Sequence, residues 1–320
     1  MASEFDLIAR HFKWPAPAGV LGVGDDCALL LPVASDRRLA VTTDLLIEGR
    51  HFLPDADPEA LGHKALAVNV SDLAAMGATP IGCVLGLSVP RADHAWLERF
   101  ARGFRTLADA VGCPLVGGDT TRSLQGTVIS VTAMGEVPAG AALTRAAARP
   151  GDDIWITGTL GAAHMALEVL QGRERATPDV LAALRPFLDR PEPPVAFGAH
   201  LIGIAHAAID ISDGLQQDLG HVLRASGCGA EIDYASLPVH PALEGFAAAS
   251  VQRAVLNGGD VYQLCFTASA AMRQRITELA GRHGVRVSRV GTITQEGGLR
   301  VTACPVPLSP DDPAGFDHFG

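Results

Sequence analysis

Two apolar runs of strand length, each with acids at its edge, constrain this chain more than any other stretch. Residues 22 to 31 read Gly22-Val23-Gly24-Asp25-Asp26-Cys27-Ala28-Leu29-Leu30-Leu31, and after a polar turn comes Leu39-Ala40-Val41-Thr42-Thr43-Asp44. Short runs rich in Leu and Val read as buried strands, so the acids fall at strand edges. Glycines ahead of Asp25 and Asp26 let the backbone turn tightly and approach a bound group. Adjacent carboxylates repel, so holding both in a cleft calls for a cation or a shared proton. Thr42 and Thr43 add neutral oxygens, and hard divalent cations such as magnesium take all-oxygen surroundings. Taken alone, the stretch fits a solvated hairpin with acidic turns equally well.

The 320 residues suffice for two ordinary domains, each burying its own core. Arg149-Pro150-Gly151-Asp152-Asp153 marks the expected boundary, because a Pro-Gly turn there precedes a fresh apolar strand. Domains are therefore expected at 1–148 and 149–320. At 48% apolar and 19% charged the chain is globular and not disordered. A net charge of −10 argues against a nucleic-acid surface and suits a protein that recruits cations to an anionic substrate. Lys13 and Lys64 are the only lysines, so positive charge is nearly all arginine, the better fork for phosphate, although a GC-rich genome produces the same bias. The six cysteines form no Cys-x-x-Cys pair and no zinc spacing, which predicts buried free thiols in a reducing, cytoplasmic setting. No leader pattern opens the chain and no apolar stretch reaches the length of a membrane span, so no membrane association is expected.

Along the chain, a capped helix is predicted at 3–12 and a second at 58–77, where Asn69 and Asp72 share one face. An Asn and an Asp among small apolar residues are costly to bury unsatisfied, and a cation or its water shell would satisfy both. Strands follow at 81–89, 114–119 and 128–137, with a helix at 92–111. The strand at 114–119 ends in Gly117-Gly118-Asp119. Beyond the boundary, a strand at 154–158 runs into a helix through Leu170, and residues 171–194 read as a helix and surface loop. The run Ile209-Asp210-Ile211-Ser212-Asp213-Gly214 repeats the theme of an apolar approach, acids and a glycine. Its polar residues would cap a helix at 215–225. Asn257-Gly258-Gly259-Asp260 sets up the theme once more before a strand at 261–267, and strands near 285–290 and 299–302 close the pattern. Neither nucleotide-binding glycine fingerprint is present.

Together Asp26, Asp44, Asp72, Asp119, Asp210 and Asp213 sit at element ends or on a helix face, as a multi-metal phosphate site would be built. The segments Gly22 to Leu30, Thr42-Thr43-Asp44, His51-Phe52-Leu53-Pro54, Lys64 to Ala78, Gly117 to Arg122 and Ile209 to Leu215 resemble the thiamine-monophosphate kinase family. The likeness runs to the terminal Phe316-Asp317-His318-Phe319. The acidic motifs are shared with the wider aminoimidazole ribonucleotide synthetase superfamily, and His51-Phe52-Leu53-Pro54 with the Asp-His-Phe end narrows the likeness to the kinase.

That resemblance implies a two-domain α/β (α+β) fold and a homodimer whose N-terminal sheets join in a shared β-barrel. It implies transfer of the γ-phosphate of ATP to thiamine phosphate, with several magnesium ions. Carried over by position, Asp26, Thr42, Thr43, Asp44, Asp72, Asp119, Asp210 and Asp213 would hold magnesium. Gly118, Asp119, Arg145 and Ser212 would contact ATP, and His51, Asp260 and Phe316 the thiamine phosphate. No catalytic base is expected, because the acceptor is already an ionised phosphate. The family pattern carries acids where this chain has Val261 and Gln263, which bears on local electrostatics. Another ATP-dependent enzyme of the superfamily, or a nucleotide-binding protein without turnover, remains the alternative.

Overall fold

The computed structural model of the chain describes residues 10–15, 33–307 and 315–316. The first apolar run, with Asp25 and Asp26, and most of the helix expected at 3–12 lie outside them. Two compact units emerge, Met1–Leu73 with Ala78–Gly140, and Ala74–Gly77 with Ala141–Gly320.

In the first unit, β1 (Arg37–Ile47), α1 (Pro58–Ala75), β2 (Thr79–Val89), α2 (His94–Val111), β3 (Leu115–Arg122) and β4 (Val128–Pro138) follow one another. The sheet order is β1-β4-β2-β3. β1 and β2 run antiparallel to β4, while β2 and β3 are parallel and joined through α2. Asp93 caps α2 by accepting the Ala95 and Trp96 amides, and Gly112 ends it in the left-handed conformation. Gly62 and Gly103 let α1 and α2 meet closely: a Cβ at Gly62 would lie 2.0 Å from the Phe100 oxygen, and one at Gly103 1.7 Å from that of Glu59. Trp96, Phe100 and Phe104 stack along α2, and Leu66, Leu97, Phe100 and Phe104 are fully buried.

The period of two sorts this sheet into unlike faces. Leu46, Ile129, Val131, Ala133, Cys83 and Leu85 lie on the buried one. On the other, Leu39, Val41, Leu45 and Ile47 of the edge strand β1 are 42–58% exposed.

The second unit is built from β5 (Asp153–Thr157), α3 (Ala162–Leu170), α4 (Pro178–Asp189), α5 (Val195–His200), β6 (Ala207–Asp210), α6 (Leu215–Ser226), β7 (Gly229–Asp233), α7 (Ala248–Asn257), β8 (Leu264–Ala268), α8 (Arg273–His283), β9 (Val287–Thr294) and β10 (Gly298–Thr302). Its six strands are ordered β10-β7-β9-β5-β8-β6, antiparallel except for β10 beside β7. Ile154, Ile156, Ile209, Leu219, Val255 and Ile232 belong to one core. Trp155 stacks on Phe266, which meets Phe197 edge-on.

Asp152 and Asp153 imitate the acidic pairs of the site but are structural. Asp153 takes a two-pronged bond from Arg273 (2.6 and 2.7 Å), which holds its carboxyl below the usual range, and Asp152 binds His206 at 2.9 Å. Two expectations need correction. The strand expected to stop at Asp119 continues to Arg122, because β2 supplies ladder partners through Val89. The strand expected from Val261 begins only at Leu264, because the backbone turns left-handed at Asp260 and Tyr262. Among the described residues no helix is long and apolar enough to cross a membrane.

Candidate functional site

In the first unit the site forms where β1 crosses α1. Thr42, on the buried face of β1, donates to Asp72 Oδ2 at 2.5 Å. Asp44 shares that face, and its amide donates to Asn69 Oδ1 at 3.1 Å. Asn69 is fully buried, and its Nδ2 donates to the Ala65 carbonyl at 3.1 Å. Its amide is thus satisfied by the protein and does not need the cation its polarity suggests. Its work is to fix the Asp44 backbone over α1. Asp44 and Asp72 themselves stay half-buried.

Thr43 points the opposite way. Its hydroxyl donates to the Val131 carbonyl at 3.1 Å and accepts from Thr132 at 3.0 Å. The structure does not bring that hydroxyl together with Thr42 and Asp44. His51 closes the turn after β1, where its Nδ1 accepts the Ile47 amide at 3.0 Å. The neutral ring therefore carries its proton on Nε2.

Gly118 and Asp119 lie in β3 beside β2. A Cβ at Gly118 would sit 2.0 Å from the Leu85 oxygen, so only glycine lets the strands pair here. A shallow cleft lies at this point, lined by Phe12, Leu85, Leu115 and residues 117–120, with Asp119 exposed at its rim.

In the second unit the acids follow β6. Asp210 ends that strand, 5% exposed, and residues 211–214 lead into α6. The capping expected from these polar residues runs in reverse. Gly214 is the cap residue and offers no side chain, while Asp218 reaches back from inside the helix. Its Oδ2 accepts the amides of Ser212 (3.1 Å), Asp213 (3.1 Å) and Gly214 (3.0 Å). Burial pushes the Asp218 carboxyl up to about 7, Asp213 beside it adds to the rise, and the three amides oppose it.

A second loop locks onto the first. Asp260 donates its amide to the Ser212 carbonyl and Tyr262 to that of Ile211, both at 2.8 Å. Gly259 permits this approach, since a Cβ there would lie 2.5 Å from the Ser212 oxygen. Asp260 and Tyr262 have φ of 61° and 50°, strained for residues with side chains. Tyr262 Oη donates to Asp260 Oδ1 at 3.2 Å, orienting the carboxylate. Val261 packs on the apolar core, and Gln263 bonds Thr157 and the Glu192 carbonyl, each at 2.8 Å. Both residues that replace acids thus have structural partners.

Phe316, 40% exposed, docks on the same loop, donating its amide to the Asp213 carbonyl at 3.0 Å. Ser212, Asp213, Asp260 and Phe316 are thereby brought together. Arg145 is exposed on a short turn whose carbonyl accepts Ser226 Oγ at 2.8 Å. Burial, then Arg224 and Arg145, lower the His221 pKa, and Asp213 opposes them, so Arg145 and Asp213 act on a common neighbour. Asp26 lies outside the described residues. Sequence reasoning missed Gln217, Asp218 and Tyr262, whose signal is only their closeness to the acidic and glycine runs.

Among the described residues the candidate donors are carboxylate and hydroxyl oxygens, which suits magnesium. Among the described residues no three His, Cys, Asp or Glu gather into a cage. Magnesium seldom uses one, relying instead on one or two carboxylates, waters and substrate phosphates.

Comparison with known proteins identifies the family. Residues 24–137 match the family model "AIR synthase related protein, N-terminal domain" and residues 149–304 the corresponding C-terminal domain. Thiamine-monophosphate kinase of Escherichia coli K12 is 42% identical over 99% of this chain and 98% of its own length. The crystal structure of thiamine-monophosphate kinase from Stenotrophomonas maltophilia K279a superposes with a TM-score of 0.85 and 42% identity, covering 92% of this chain and 94% of that one. A solved structure described as AaThiL complexed with AMPPCP and TMP gives a TM-score of 0.78 at 31% identity over 90% of this chain and 89% of that one. By sequence over nearly its full length, and by fold in both domains, the chain belongs to the thiamine-monophosphate kinase family.

Proposed function

We propose that this chain transfers the γ-phosphate of ATP directly to thiamine phosphate, giving thiamine diphosphate and ADP. The observation that carries the reading is near-full-length identity to enzymes named for this reaction, one of them described in complex with AMPPCP, an ATP analogue, and TMP.

Asp26, Thr42, Asp44, Asp72 and Asp119 of the first unit and Asp210 and Asp213 of the second are the oxygens that would hold magnesium. Thr43 would serve through its backbone. Magnesium, when bound, neutralises and bridges phosphate oxygens, the charge that a P-loop lysine supplies elsewhere. Thr42 orients the Asp72 carboxylate, and Asn69 fixes the backbone that carries Asp44. Gly118 opens β3 so that backbone and Asp119 can approach the nucleotide, with Ser212 as a further ATP contact. Arg145 offers a fork for phosphate oxygens. Phe316 presents a flat face to the cationic thiazolium, Asp260 answers the pyrimidine amine or that cation, and His51 offers a donor through Nε2. A phosphate acceptor needs no strong base, so placement and charge neutralisation carry the rate.

Strand β1, at the edge of the sheet among the described residues and with Leu39, Val41, Leu45 and Ile47 exposed on one face, fits a second copy of this chain packing its sheet against this one. The buried free thiols Cys83, Cys113, Cys228 and Cys265 suit the cytoplasm.

The deciding experiment measures ADP release by the purified protein with magnesium and ATP, with and without thiamine phosphate. Release that depends on thiamine phosphate, with thiamine diphosphate appearing in step, is the expected result. Release without acceptor, or ATP binding without release, would overturn the reading.

A further inference from the structure

Asp213 is held at three separate atoms. Its amide is taken by Asp218, its carbonyl by the Phe316 amide, and its carboxylate by Gln217. The last contact is bifunctional. Gln217 Nε2 donates to Asp213 Oδ2 at 3.1 Å and to the Phe316 carbonyl at 3.0 Å. Both acceptors are oxygens with no proton to give, so only the amide NH2, with its two donors, can stand between them. Gly315 leaves room for the arrangement, since a Cβ there would lie 2.7 Å from Gln217 Cβ and from the Asp213 oxygen.

We infer that Gln217 is a positioning residue that couples the docking of the C-terminal segment at Phe316 to the orientation of the Asp213 carboxylate. The inference rests on the reading above, in which Phe316 meets thiamine phosphate and Asp213 meets magnesium. The bond to Oδ2 fixes the orientation of the Asp213 carboxylate, and one amide bonded to both groups makes them move as a pair. Binding of acceptor and of cation is thereby linked through a single side chain.

The test compares wild type with Gln217→Ala and Gln217→Glu. Ala removes both donors, and Glu keeps the shape but sets a carboxylate against two acceptors. Hydrogen exchange of the terminal peptide containing Phe316 is read without ligands, magnesium binding by calorimetry with AMPPCP present, and turnover against thiamine phosphate. Losing a bond to a charged group should raise KM for thiamine phosphate and weaken magnesium binding together, each roughly ten-fold. The value of kcat should change less, exchange at the tail should quicken, and Glu should be worse than Ala. A Glu variant equal to wild type, or an Ala variant with a loosened tail but unchanged magnesium and thiamine phosphate constants, would overturn the inference. Should wild type bind magnesium with AMPPCP yet never phosphorylate thiamine phosphate, the functional reading falls. Exchange and calorimetry then still decide the coupling.

Discussion

Asp218 is where the architecture can be tested most sharply. Replacing it with Ala withdraws the acceptor from three amides, those of Ser212, Asp213 and Gly214. A lost helix cap costs ~1–2 kcal/mol, and buried donors left unpaired cost about 1–3 kcal/mol each. Water can reach the half-buried amides of Ser212 and Asp213, so we expect about 2–4 kcal/mol for Asp218→Ala. Asp218→Asn keeps one oxygen for the same amides and isolates the charge. The folded carboxyl titrates near about 7, above its unfolded value, so the folded state binds the extra proton between the two. Wild-type stability relative to Asp218→Asn should therefore be fully present below about pH 4 and decline as pH rises to about 7. The full decline is on the order of 4 kcal/mol at ~1.4 kcal/mol for each pH unit, an upper bound in a site that water can reach. Urea unfolding of the metal-free protein at pH 5 and pH 8 measures it. An Ala variant as stable as wild type, or a wild-type-to-Asn difference that does not change with pH, would refute the account.

Asp44→Asn should abolish magnesium-dependent turnover while leaving the circular dichroism spectrum unchanged; normal turnover would remove Asp44 from the metal set. Gly118→Ala should cost about 1–3 kcal/mol and weaken ATP binding, because its Cβ falls 2.0 Å from a β2 carbonyl oxygen. Thermal melts and nucleotide titration check both parts, and an unaffected variant would mean that β3 is not packed against β2 there. Val41→Lys with Leu45→Lys should convert a dimer to a monomer in sedimentation, and a dimer that persists would place the interface elsewhere. Arg273→Ala should weaken the acid-side protection of Asp153, leaving only the longer Arg289 contact: the carboxyl is depressed in the fold, so its contribution is present above the unfolded pKa and lost as pH falls through the folded one. Melts that respond equally to acid in variant and wild type would contradict this.

Much was legible before any coordinates. Helix α2 announced itself because it buries one face, so its apolar residues recur at the helical period. Helix α1, buried nearly all round, showed through Pro58 at its start and Gly77 past its end, and β1, β2 and β4 showed as short apolar runs. The acids announced themselves because carboxylates beside glycines at strand ends have few purely structural uses. β7 and α7 were not legible: Gly229-Ala230-Glu231-Ile232-Asp233 has little β-propensity, and α7 starts at Ala248 behind Ala247, which offers no side-chain cap. Asp152 and Asp153 look like site acids in sequence, and only the approach of His206, Arg273 and Arg289 from distant elements makes them structural.

The sequence by itself determined the family and most of the element types, because these depend on local pattern and on motifs that survive in one dimension. Tertiary structure alone decided which atoms serve. It turned the Thr43 hydroxyl away from Thr42, satisfied Asn69 internally, sent Asp218 back to cap its own loop, and set Gln217 between Asp213 and Phe316. Those outcomes depend on which face a strand presents and which distant backbone comes within 3 Å, and contacts between residues far apart in the chain leave no periodic trace in it.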